Sequence, residues 1–159
     1  MPGLDPSLIE VYLFRRRGRR TEFLALRRRL EGWLPGVWQP VTGGLRGREQ
    51  AVRGALREVR EETGLRPTRM WRLETVTTWF DPRRDAVRFV ILFAAEVGAG
   101  DVVRLSREHT AYRFMPSREA AKRFLWDSQR RGIAAVRSQV LGGGRRARAL
   151  EIDIPAVRR

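Results

Sequence analysis

The sequence predicts an α/β (α+β) chain in which a mixed β-sheet is flanked by helices. Three observations predict it. Short runs rich in Leu, Ile, Val, Tyr and Phe recur along the chain, with turn residues between them. One segment, Gln50–Thr63, places apolar residues at Ala51, Val52, Ala55, Leu56 and Val59, which is helical spacing. The order is strands, helix, strands, helix, with no internal repeat and no low-complexity block.

Ser7–Phe14 reads as the first strand, Arg15–Arg20 with Gly18 as a basic turn, and Thr21–Arg27 as the returning strand. Arg28–Gly36 is loop-like, with Pro35-Gly36 as its turn signal. Val37–Thr42 is short and extended, and Gly43, Gly44 and Gly47 interrupt any regular structure after it. Gly64 sits where a left-handed residue would end the Gln50–Thr63 helix. Met70–Phe80 and Ala86–Val97 read as a strand pair joined by Asp81–Asp85, and Ala111–Met115 as a further short strand. Ser117 is placed to cap a second long helix running to Leu141, with Gly132 as the point where it would break. Residues 1–141 form a single domain in this reading. Gly142–Gly144 is then a joint, and 142–159 a basic tail whose Ala149–Pro155 adds a strand or hangs free.

A chain of 159 residues can bury a core without staples, and this one has no cysteine. Disulfides and thiolate metal sites are excluded, and a reducing, cytoplasmic setting is expected. No apolar run approaches the ~20 residues that span a bilayer, and Met1–Glu10 lacks the basic-then-apolar order of a secretion signal. The net charge of +15 invites a nucleic-acid reading. Lys122 is the only lysine, however, and the arginines are scattered outside Arg15–Arg20, Arg27–Arg29 and the C-terminal end. A small polyanionic substrate explains the charge at least as well. The expected partner is thus a small-molecule polyphosphate, with nucleic acid the weaker alternative, no membrane, and a monomer or homodimer.

The informative segment is Gly43–Leu65, GGLRGREQAVRGALREVREETGL. Glu58, Glu61 and Glu62 stand at i, i+3 and i+4, on one face of the helix. Like charges at that spacing destabilise a helix, and they sit in its last turns, where the macrodipole already disfavours carboxylates. Arg57, four residues before Glu61, can pair one carboxylate. The rest suit Mg²⁺, which accepts one or two carboxylates and keeps open positions for water and phosphate oxygens. Glu49, in the loop entering the helix, is placed to hold an arginine or cap the helix start. Gly43 and Gly44 let the backbone approach a metal or phosphate closely.

This segment resembles the Nudix box: Gly43, five residues, Glu49, seven residues, then Arg57, Glu58, Val59, Glu61, Glu62, Gly64 and Leu65. The resemblance implies a Nudix-type α/β/α sandwich and hydrolysis of a phosphoanhydride by attack of activated water on phosphorus. It implies Mg²⁺ as cofactor, with Mn²⁺ as a substitute, on Glu58, Glu61 and Glu62, and Arg57 as the residue orienting a glutamate. VWQPVTGG (Val37–Gly44) and EHTAYRF (Glu108–Phe114) further resemble segments of the bacterial dihydroneopterin triphosphate pyrophosphatases, apart from Pro40 and Phe114. That likeness implies Glu108 as a further metal-binding or catalytic carboxylate, and places Arg28, Thr42 and Gly43 at the substrate phosphates. The alternatives are a (deoxy)nucleoside triphosphate or dinucleoside polyphosphate as substrate, then an RNA 5′ end or an RNA-binding role. Trp79 and Phe80 are candidates to stack on a flat ring, although strand alternation turns one of them inward. Trp33, Trp38, Trp71 and Trp126 are expected to pack in the core or at edges, and His109 to make structural hydrogen bonds.

Overall fold

The computed structural model describes residues 1–154. Alternation along the first strand organises the whole molecule. In β1 (Gly3–Arg17) the side chains of Ile9, Val11 and Leu13 turn to one face, and those of Tyr12 and Phe14 to the other. Both faces are buried, so helices must cover both. The first face packs with Leu24, Leu26 and Val41 against Ala55 and Val59 of α1 (Ala51–Thr63). The second packs with Phe23, Trp71 and Leu92 against Ile133 and Val136 of α3 (Asp127–Val136). Phe14 stacks on Trp71 at 5.8 Å between centroids. Each large side chain buried in this way contributes about 1.5–3 kcal/mol.

The sheet is mixed. β1 runs parallel to β6 (Ala86–Val97), which pairs antiparallel with β5 (Arg69–Asp81). On its other edge β1 is shared. Leu8–Val11 pair with β4 (Val41–Gly44), whereas Phe14–Arg17 pair with β2 (Arg20–Arg28). Beyond Phe23, β2 leaves β1 and continues with β3 (Trp38–Gln39) and β7 (His109–Pro116). The two arms of this forked edge bring β4 and the end of β2 around the same end of the sheet. The expected mixed sheet flanked by helices is what the chain adopts. No helix among the described residues is long and apolar enough to cross a membrane.

The long helix expected over Ser117–Leu141 is instead broken into pieces, and not at Gly132. α2 (Ser117–Arg123) stops where Phe124 becomes extended and inserts, fully buried, beside Trp38. α3 restarts after Trp126 and runs through Gly132. That glycine serves close approach: a Cβ there would overlap the phenol of Tyr12, which is itself buried. A π-helical turn at Arg137–Leu141 ends at Gly142.

The segment read as a tail continues into packed structure. α4 (Gly144–Leu150) buries Ala147 and Leu150, and the two-residue strand β8 (Glu151–Ile152) pairs with Met70 and Trp71 of β5. Arg69 holds Glu151 through two hydrogen bonds of 2.8 and 2.9 Å. Leu150 joins the core on one face of the sheet and Ile154 the core on the other, so the segment wraps the β5 edge. Pro155 lies outside the described residues.

Two substitutions test this packing by denaturant unfolding. Leu150→Ala should cost about 2–5 kcal/mol, where a merely appended tail would cost nothing. Gly132→Ala should cost about 1–3 kcal/mol by overpacking against Tyr12, and an unchanged midpoint would show that the helix and strand can separate freely.

Candidate active site

The loop Leu45–Gln50 and helix α1 are clasped by one side chain. Arg57 donates from Nε and Nη2 to the two oxygens of Glu49, each at 2.8 Å. Its Nη2 also reaches the Gly44 carbonyl at 3.0 Å, and its Nη1 reaches Glu58 Oε1 at 2.6 Å and Glu61 Oε2 at 3.1 Å. Glu49 does not cap the helix start; it is the bidentate partner of this guanidinium. The pairing holds the Glu49 carboxyl down at about 2, with the Arg57 hydrogen bonds as the chief cause, and raises Arg57 in turn. Glu58 lies directly against β4. A Cβ on Gly43 would overlap its carboxyl group, so a side chain at this position would push that carboxyl group out of its place.

Glu62 is the unusual residue. It is 4% exposed, and one oxygen, Oε2, is buried with no hydrogen-bond partner. The Thr42 backbone N–H donates to the carboxyl group. Burial, and then the negative charges of Glu58 and Glu108, push its pKa up to about 9, against the opposing pull of Arg28. Glu108 comes from a distant part of the chain. Its loop is bound to the last carbonyls of α1, with Arg104 N donating to Thr63 O at 2.8 Å and Ser106 N to Glu62 O at 3.2 Å. These bonds satisfy helix-end acceptors and bring Glu108 to Glu62.

His109, next in sequence, is buried, with Nε2 3.4 Å from Gln39 Nε2 and Nδ1 unpartnered. Burial lowers its pKa, Glu108 opposes that, and Arg28 adds to it. Arg28 is itself anchored, its Nε donating to the Trp33 carbonyl at 2.8 Å.

Beside this cluster opens a cleft of about 710 Å³ on the α3 side of the sheet. Of the residues expected to contact substrate, Arg28, Thr42, Gly43 and Trp79 line it, and Phe80 does not. Trp79 shares its face of the β5–β6 pair with Arg88, which lies under its ring at 5.8 Å; Phe80 points the other way, and both are exposed, so neither turns inward as alternation predicted. Trp33 and Trp126 correct the sequence reading. They are 61% and 50% exposed and line the cleft, while Trp71 is in the core and Trp38 is half-buried beneath Arg123. Glu10, Gln39 and Gln129 on the cleft floor had no sequence signal, because a single polar residue in a strand or helix reads as solvent-facing.

The four carboxylates expected to hold metal are not drawn into one group. Among the described residues no three acidic or histidine side chains converge on a point. Glu61 is taken up by Arg46, at 3.0 and 3.1 Å, and by Arg57, and it faces a second depression of about 640 Å³ with Arg53, Arg60 and Arg66. Glu58 is held by Arg57. What remains is a buried, half-unpartnered Glu62 with Glu58 and Glu108 acting on it. An all-oxygen set with an orphaned buried atom and uncompensated negative charge fits a hard divalent cation.

Known proteins bear on this geometry. Over 87 residues the chain is 36% identical to the asymmetrical bis(5'-nucleosyl)-tetraphosphatase of Mus musculus, covering 54% of this chain and 59% of that one. The chain thus spans less than two thirds of the length of the curated relatives it matches. Its fold superposes on a C. elegans Ap4A hydrolase in a binary complex with a TM-score of 0.71 at 21% identity, covering 86% of this chain and 98% of that one. It superposes on the E. coli dihydroneopterin triphosphate pyrophosphohydrolase with a TM-score of 0.65 at 22% identity, covering 81% and 94%. The NUDIX domain model matches residues 7–136, the span that carries the glycine–glutamate–arginine clasp, Glu62 and Glu108, and the chain belongs to the Nudix family.

Proposed function

We propose that this chain is a Mg²⁺-dependent pyrophosphohydrolase that cuts a phosphoanhydride in a polyphosphate carrying a flat ring. The observation that carries the reading is Glu62, a buried and incompletely paired carboxyl group beside Thr42 and Gly43, at the mouth of a tryptophan-lined cleft. Glu62 would hold the cation, with Glu58 and Glu108, whose charges act on it, as the carboxylates to be drawn onto the ion. When bound, it supplies neutralisation of charge at the phosphate oxygens and a lowered pKa for the attacking water. Arg57 and Glu49 fix the position of Glu58. Arg28, which lines the cleft with Thr42 and Gly43, would offer the phosphates a cation where they reach toward the carboxylates.

The favoured substrate is dihydroneopterin triphosphate, released as the monophosphate and pyrophosphate. The support is VWQPVTGG and Glu108–Phe114, whose residues Thr42, Gly43 and Glu108 lie around Glu62. A second reading, a dinucleoside polyphosphate, is favoured by the 36% identity to a tetraphosphatase. Assays with Mg²⁺ on dihydroneopterin triphosphate, canonical and oxidised dNTPs and diadenosine tetraphosphate separate the two. Pyrophosphate plus the pterin monophosphate supports the first, and a pair of mononucleotides from the dinucleotide supports the second. No turnover of any of them would overturn the proposal.

Glu62→Gln should lower kcat by about a hundredfold or more while the fold survives. The folded chain keeps the Glu62 proton up to about pH 9, whereas the ordinary carboxyl releases it near 4.5. Without Mg²⁺, stability is therefore greatest below that lower value and falls as pH rises through the window. The variant should lose this slope and melt higher near pH 8, each kcal/mol recovered being worth about 2–4 °C. Equal stabilisation of variant and wild type by Mg²⁺ would remove Glu62 from the ligand set. Gly43→Ala should displace Glu58 and cut kcat/KM by about a hundredfold; full activity would show that the close approach is dispensable.

A further inference from the structure

Glu10 is 8% exposed and lies on the cleft floor, on the α3 face of β1. Tyr12 donates its hydroxyl to one carboxylate oxygen, and Gln129 Nε2 donates to the other at 3.2 Å. The orientation of the Gln129 amide is set from its far side, where Oε1 accepts the Trp126 backbone N–H at 3.5 Å. Both protein neighbours are therefore donors, and Glu10 is wired as an acceptor. Its two oxygens offer about four acceptor sites, of which the protein uses two.

Among the described residues no cation balances this group: burial raises its pKa, and the Tyr12 and Gln129 hydrogen bonds oppose the rise. A glutamine would fill the same space without the cost of burying an uncompensated charge. Packing therefore does not explain a carboxyl group here, whereas further donors arriving from the cleft do. Around it, Trp33, Trp79 and Trp126 are 61%, 46% and 50% exposed on the walls of one cavity. Three large aromatic faces left open to one space suit a flat ring.

A carboxylate is matched by two N–H donors side by side. Guanine and pterin present that pair as the ring N–H and the neighbouring 2-amino group. Adenine instead places an unprotonated ring nitrogen beside its amino group, setting lone pair against lone pair. Resting on the proposed reading that the substrate joins a ring to a polyphosphate, we propose that Glu10 is a specificity-determining residue. It accepts from the paired ring N–H and amino group of a 2-amino-4-oxopyrimidine ring held among Trp33, Trp79 and Trp126.

Calorimetric titration of the full chain with GMP, IMP and AMP tests this without hydrolysis. IMP keeps the ring N–H and lacks the 2-amino group. GMP should bind about tenfold or more tighter than either. Glu10→Gln, which turns an acceptor into a donor, should erase that preference while its melting temperature holds or rises. Equal binding of GMP and IMP, or of GMP and AMP, by wild type overturns the inference, and so does a preference kept by the folded variant. Should the variant fail to fold, the three wild-type titrations decide alone. Hydrolysis of GTP and ATP at equal kcat/KM overturns this inference and leaves the proposed function standing. A GMP preference without hydrolysis of any polyphosphate does the reverse.

Discussion

Every part of the site refers back to the Arg57 guanidinium, whose Nε, Nη1 and Nη2 are all spoken for. It ties Glu49 in the preceding loop, the Gly44 carbonyl at the end of β4, and Glu58 and Glu61 on its own helix. Without it, three carboxylates in the last turns of α1 would repel one another and the helix dipole. With it, loop, strand and helix are joined as one rigid piece, and Glu62 is left as the buried carboxyl group without a full set of partners. The strain of the acidic helix is thereby placed where a cation can relieve it.

The forked edge of the sheet gives that charge something to act on. β4 and the end of β2 lie around one end of the molecule because β1 can pair with only one of them at a time. Carboxylates reach this end from the α1 face, and the ring cleft opens on the α3 face. Two residues without side-chain bulk, Gly43 and Gly44, separate the two. A substrate with a polyphosphate at one end and a ring at the other, as proposed, matches that division.

The loop Arg29–Val37 shows how a segment with little structure of its own is made specific. Arg28 holds the Trp33 carbonyl, Arg29 N donates to Glu108 O at 3.0 Å, and the Trp33 ring meets Arg83 of the β5–β6 turn at 5.2 Å. These contacts cross the mouth of the cleft. They leave the tryptophan face open, at the cost of apolar exposure that a core position would avoid.

The sequence by itself determined the helix that carries the glutamates, because its evidence is local. Glu58, Glu61 and Glu62 share a face through spacing alone, Gly64 ends the helix at φ 70°, and alternation in β1 and β2 specifies a sheet buried on both sides. It also placed Arg28, Thr42, Gly43 and Glu108 near that helix through short resembling segments. Tertiary structure alone decided which glutamate is buried without a full set of partners, since burial is a property of what packs on top. It also decided that Trp33 and Trp126 face a cleft, that α2 gives way to α3 at Phe124 and not at Gly132, and that residues 144–154 wrap the β5 edge. Each of these depends on contacts between residues far apart in the chain, such as Tyr12 with Gly132 or Trp38 with Phe124, and no local pattern encodes so distant a partner.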